Sequence, residues 1–171
     1  MYCEAMPILT DRLSLNPLQA SDAVEMHVVL DEIALHIFTG DAPLALHELQ
    51  ERYAKLEAGS GRETEVWVNF MARLRPGETA IGYVQATIYN EDKRYAEIAW
   101  VVGVSWQGQG YATEAATALV TWLQGQGIDE ICANIHPTHE ASIGVARALG
   151  MHPTAIEIDR ETQWRLSGLR A

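Results

Sequence analysis

The chain has 171 residues, 48% hydrophobic and 20% charged, which fits one domain, residues 1–171, with a sizeable core. Lys and Arg number 12 and Asp and Glu 23, so the net charge is −11. That balance argues against non-specific binding to nucleic acid or to an anionic membrane; it suits a cationic substrate, or plain solubility.

Two cysteines, Cys3 and Cys132, make neither a metal spacing nor a disulfide framework, which favours a reducing compartment. Cys132 lies in an apolar run and reads as a small core residue. No apolar run approaches the ~18 residues of a membrane span, and no basic segment precedes an apolar one. A cytoplasmic protein is expected.

Thr10 to Leu18 alternates, with Leu13 and Leu15 on one face, and predicts a first strand stopped by Pro17. Ser21 and Asp22 are cap candidates for a helix over Ala23 to Leu30. From Asp31 to Pro43, Ile33, Ile37 and Phe38 would continue a helix that Thr39-Gly40-Asp41 breaks. Leu44 to Glu57 carries Leu46, Leu49, Tyr53 and Leu56 at helical spacing, with Pro43 near its start. An antiparallel meander follows. Thr64 to Leu74 and Thr79 to Tyr89 flank a Pro76-Gly77 turn. After the polar turn 90–93, Arg94 to Val104 forms a further strand. Ile98, Trp100, Val102 and Val104 share one face of it, and Glu97, Ala99 and Val101 the other.

Gln109 to Gln124 is a helix with an alanine-rich inner face, closed by Gly125 and Gly127. Ile128 to Ile135 is a strand. A helix beginning at His139 or Ser142 ends at Gly150. Ala155 to Ile158 and Gln163 to Leu166 read as a closing hairpin. Two strands joined by a helix imply a parallel pair with a right-handed crossover, so the fold is α/β with a mixed sheet.

The most informative stretch is Tyr95 to Leu123, where a strand runs through Gln107-Gly108-Gln109-Gly110 straight into a helix. Backbone N–H groups at such a junction point one way, and the helix start adds about half a positive charge. Phosphate is the natural ligand. Gly108, Gly110 and Ala112 keep side chains out of its way. A tight turn with no ligand is the competing reading. The stretch is not a P-loop, since no Gly-Lys-Ser/Thr follows, and it lacks a dinucleotide fingerprint.

Gln107, Gly110 and Ala112 match Gln/Arg-x-x-Gly-x-Gly/Ala, and the stretch resembles the pyrophosphate signature of the GNAT superfamily of acyl-CoA N-acyltransferases. Thr113-Glu114-Ala115 is similar to the Rim-type branch, the ribosomal-protein N-terminal acetyltransferases and their relatives. Thr10-Asp11-Arg12-Leu13, Ile81-Gly82-Tyr83 and the segment from Glu140 to Met151 resemble that branch's opening strand, central hairpin and last helix. The resemblance implies a central mixed sheet of six to seven strands flanked by helices, with its parallel pair splayed. The pantetheine arm of acetyl-CoA would lie in the splay against Val101, Val102 and Val104. Its pyrophosphate would sit on the loop of Gln107, Gln109, Gly110, Tyr111, Ala112 and Thr113. Tyr111 would shield this loop or pack under it.

The implied reaction is attack of a primary amine on the thioester, the acceptor being a protein N-terminus or a small molecule. A backbone N–H near Val101 or Val102 would hold the oxyanion. Glu97 is the base candidate; it lies ~13 Å along the strand from Val101 and would work through water. The bland reading makes it a solvated strand end or a partner for Arg94. Ser142 matches a family serine near the sulfur and either protonates the thiolate or caps its helix. His139 stands where the family usually has asparagine, bonding the pantetheine amide or nearby backbone. It adds a titratable group there. The remaining histidines have no HExxH-type spacing, so no metal is expected. An inactive acyl-CoA sensor is the alternative function, and a homodimer stays open.

Overall fold

The computed structural model describes residues 6–38, 41–90 and 94–166. Cys3, the Thr39-Gly40 break and most of the 90–93 turn lie outside the described residues.

Strand β1 (Ile8–Leu9) folds back on β2 (Leu13–Pro17), which Pro17 terminates as expected. A 3-10 turn, Ala20–Asp22, leads into helix α1 (Ala23–Leu30). Asp22 does not cap α1. Its carboxylate instead accepts the Gln19 N–H at 2.8 Å, one turn earlier. Among its described residues, the ambiguous stretch after α1 holds a 3-10 turn, Ile33–Leu35, and no α-helix. Helix α2 (Leu46–Ala58) starts where the Glu48 carboxylate accepts the Ala45 N–H at 2.8 Å. Leu49 and Tyr53 are its buried face.

The meander forms as β3 (Glu65–Leu74), β4 (Ala80–Tyr89) and β5 (Tyr95–Val102), all antiparallel. Strand β5 is shorter than its pattern predicts. Val104 belongs to a 3-10 turn, Val104–Trp106, and not to the strand. Helix α3 (Tyr111–Gly125) returns the chain to β6 (Ile131–Ile135), and α4 (Glu140–Ala148) follows. Strands β7 (Met151–Ile158) and β8 (Glu161–Leu166) close the sheet. The hairpin starts four residues before its expected Ala155, with Pro153 inside it. Proline is tolerated because β7 is an edge strand and the ladder shifts register between Pro153 and Glu157.

The sheet has eight strands in the order β1-β2-β3-β4-β5-β6-β8-β7. The count exceeds the expected six to seven because two-residue β1 is too short to show a period. Helices α3 and α4 cover one face, over a core that includes Phe70, Ile88, Leu119 and Ile131. Ala115 and Ala116 are fully covered, which lets α3 lie close to the sheet. Helices α1 and α2 cover the other face through Met26, Leu49, Tyr53 and Met71. Burying each large apolar side chain contributes roughly 1.5–3 kcal/mol, so both faces are anchored. Among the described residues no helix is long and apolar enough to cross a membrane.

The functionally decisive joint is β5 with β6. They pair in parallel only at Ala96–Ile131 and Glu97–Cys132. Beyond that point the strands part, and a cleft opens between them.

Candidate active site

The cleft has a volume of about 660 Å³. The end of β5, the glycine loop and the first turns of α3 and α4 line it. Its β5 wall is an open strand edge. The Gly103 N–H donates to the Ile81 carbonyl at 2.8 Å, toward β4. Amides alternate sides along an extended strand, so the Val102 N–H faces the gap. The Val102 carbonyl also faces away from β4, where it accepts the Gln107 side-chain amide at 2.9 Å. Gln107 therefore ties the loop to the strand end.

Gly110 is the N-cap of α3, with φ +82°, and Gly108 has φ +72°. Both lie in the left-handed region, which glycine enters without strain. No side chain caps this end of α3, so its first amides stay available to an anion in the cleft.

A latch holds this end of α3. The Arg12 Nε donates to Glu114 Oε2 at 2.6 Å, and the Arg12 backbone N–H to Oε1 at 3.0 Å. The Thr10 hydroxyl donates to the same Oε1 at 2.6 Å. Arg12 Nη1 also donates to the Gln109 carbonyl at 3.0 Å, and the guanidinium lies 4.4 Å over the Tyr111 ring. Burial pulls the Glu114 pKa up. The bonds from Thr10 and Arg12, with Arg12's charge, outweigh it and hold the carboxyl below its ordinary value.

Of the expected residues, Val101, Val102, Gln107, Gly110, Tyr111, Ala112, Thr113, His139 and Ser142 all line the cleft. Val104 and Gln109 do not. Val104 has left the strand for the turn, and the Gln109 carbonyl is turned to Arg12. Ser142 is the third residue of α4, past the N-cap, and its hydroxyl bonds no other described residue. His139 is the N-cap residue, without a side-chain cap bond. Its ring stacks on Phe38, centroids 4.0 Å apart, closing the cleft from the α1–α2 side. Burial first, and His136 second, hold the His139 pKa below its ordinary value. Arg147 lies 5.9 Å over the Trp164 ring and does not line the cleft.

Glu97 lines neither the cleft nor the second cavity described next. It lies on the same face of β5 as Val101, opposite Thr87 and beside Cys132. Burial raises its pKa, and a hydrogen bond from Asn134 opposes the rise. A carboxyl so placed is a better proton acceptor than an ordinary glutamate.

The second cavity, about 400 Å³, lies on the other face of the sheet, under α1 and α2. Arg52 and Tyr53 of α2 and Tyr83 of β4 line it. Val101 and Leu35 line both spaces, so the two meet at the middle of the splay. Tyr83 is the register partner of Val101. Next to it, Gly82 passes so close to β5 that a Cβ would sit 2.0 Å from the Val101 carbonyl oxygen. The sequence carried a signal for this one: glycine inside a strand marks close backbone approach. It carried none for Phe38 meeting His139, which lie 101 positions apart.

The family model for the acetyltransferase (GNAT) domain matches residues 12–152. Among curated proteins, none matches the chain. Several solved structures share the fold. A GNAT-family acetyltransferase from Bacillus anthracis is 19% identical, covering 94% of this chain and 98% of its own, with a TM-score of 0.76. An acetyltransferase from Agrobacterium tumefaciens str. C58 is 22% identical, covering 98% and 97%, with a TM-score of 0.74. RimL, the ribosomal L7/L12 α-N-protein acetyltransferase, solved with coenzyme A, is 16% identical, covering 94% and 97%, with a TM-score of 0.73.

Proposed function

The chain belongs to the GNAT acetyltransferase family, and from that premise we propose that it transfers the acetyl group of acetyl-CoA to a primary amine. The observation that carries the reading is the junction at Val101. An anion cradle and an open strand edge lie on one side of it, and a second cavity lies on the other.

The pyrophosphate rests on the amides at the start of α3, and pantetheine passes along Val101 and Val102. The amine enters from the second cavity. Its nitrogen attacks the thioester carbon, and the C–S bond breaks as the C–N bond forms. The nitrogen loses one proton and the departing sulfur gains one. Holding the two reactants in line supplies roughly 7–11 kcal/mol. The Val102 N–H stabilises the oxyanion, a contact worth about 3–4 kcal/mol. An alkyl amine with a pKa of about 10 is ~0.1% neutral at pH 7, a deficit of about 4 kcal/mol. Glu97 takes the amine's proton through water. The Ser142 hydroxyl, with no bond to another described residue, donates to the leaving thiolate. His139 stacks on Phe38 and positions the start of α4.

Release of free thiol from acetyl-CoA, scanned over a panel of amines, tests the reading. Amine-dependent thiol release supports it. Tight coenzyme A binding with no release for any amine favours a sensor instead.

A further inference from the structure

Four observations bear on what the second cavity holds. First, its size is that of a small-molecule site, and leucine is its commonest lining residue, with Leu30, Leu49 and Leu56 among them. Second, the Tyr53 hydroxyl is buried, the residue being 2% exposed, and it bonds nothing among the described residues. Buried hydroxyls nearly always have a partner, so this one is a donor waiting for a ligand or a water. Third, Arg52 lines the same cavity, and no ion pair among the described residues engages its guanidinium. Its charge reaches both tyrosines, drawing down pKa values that burial raises. Burial is the larger effect, so both phenols stay protonated and remain donors. Fourth, two other polar groups of the cavity are engaged. The Glu48 carboxylate accepts the Ala45 N–H at the start of α2, and His36 Nε2 meets the Leu30 carbonyl at 3.0 Å. Asp41 and His27 also face the cavity, so it holds a cation's counter-charge as well as an anion's.

Tyr83 ties these groups to the reaction. It is the partner of Val101 across the ladder and lies within the field of Arg52. Arg52, Tyr53 and Val101 thus line one and the same cavity.

We propose that the acceptor is an amino acid with a free carboxylate and an apolar side chain, its carboxylate held by Arg52 and Tyr53 and its amine presented at Val101. This rests on the acetyl-transfer reading above and narrows it. A protein N-terminus presents an amide where a free amino acid has its carboxylate, so it leaves Arg52 unmatched. Specificity of this kind rests on the buried Tyr53 hydroxyl, because a buried donor left unpaired is costly, while Arg52 is exposed and adds its charge.

The experiment compares kcat/KM for three matched acceptors: leucine, leucinamide and 3-methylbutylamine. Coenzyme A binding is measured on the same samples by calorimetry. Leucine should exceed both analogues about 10- to 100-fold, the range of charge-assisted hydrogen bonds. Arg52→Met should bring the three within about threefold of one another, and Tyr53→Phe should reduce the preference partway. Their melting temperatures, measured alongside, show that each variant is folded. Leucinamide or the amine matching leucine in the wild type overturns the proposal while leaving acetyl transfer intact. So does coenzyme A binding without acetylation of leucine or phenylalanine. Absence of coenzyme A binding overturns both readings together.

Discussion

At Gly110 the cost of a side chain is easily foreseen. Its φ of +82° strains any L-residue, and a carboxylate there would repel a diphosphate. Gly110→Glu should therefore weaken coenzyme A binding more than 100-fold in calorimetry; retained affinity would mean the phosphates lie elsewhere. Glu97 is tested differently. Its raised pKa places its proton-accepting limb above the ordinary carboxylate range. Glu97→Gln should lower kcat/KM at pH 7 by about 100-fold. The deficit should shrink at high pH, where more of the amine is already neutral. A deficit that stays the same from pH 6 to 10 would remove Glu97 as the base. Gly82 was legible as a strand glycine, but its meaning comes from the 2.0 Å that a Cβ would leave to the Val101 oxygen. Gly82→Ala must push β4 and β5 apart beside the reactive edge. Both the melting temperature and kcat should fall.

At the scale of elements, α3 depends on a contact that spans the sequence. Thr10 and Arg12 reach Glu114 across 102 residues and more, and fix the helix start under the glycine loop. The sequence marked both segments as family-like without indicating that they touch. Periodicity reports which face a residue occupies and is silent on its partner across the fold. The latch has a pH signature. Because Glu114 is held below its ordinary pKa, its contribution is complete above the unfolded value of about 4.3. It fades as pH falls through the lower folded value. Arg12 is 45% exposed, so the pair contributes about 1 kcal/mol or less. The melting-temperature gap between wild type and Glu114→Gln should be constant near neutrality and close in acid. A gap that widens in acid would contradict the assignment. Strand β5 shows the limit of pattern reading. Its alternation runs on to Val104, yet the strand stops at Val102, where Gly103 begins the turn.

On the scale of the whole molecule, the sheet divides the work. One face, with α3 and α4, carries the cleft proposed for acetyl-CoA. The other, with α1 and α2, carries the cavity proposed for the acceptor, and they communicate at Val101. The cleft proposed for the cofactor was readable because glycines and a helix start announce themselves locally. The cavity proposed for the acceptor was not. It is assembled from Tyr53, Tyr83 and the loop after α1, residues that look like ordinary core positions until the fold joins them. The net charge of −11 suited a cationic acceptor or plain solubility, whereas the cavity is lined by Arg52, which forms no ion pair among the described residues, as well as by Asp41 and Glu48. The division also predicts independence. Tyr53→Phe should change the acceptor KM and leave the coenzyme A affinity as in the wild type. Combined with Gly110→Ala, its effect on cofactor binding should be additive within about 0.5 kcal/mol.

The most direct test is a crystal structure with coenzyme A bound. The diphosphate should rest on the amides from Gln109 to Thr113. The pantetheine should lie between the parted β5 and β6 along Val101 and Val102, with the sulfur beside Ser142. Coenzyme A found under α1 and α2, or bound outside the splay, would contradict the account.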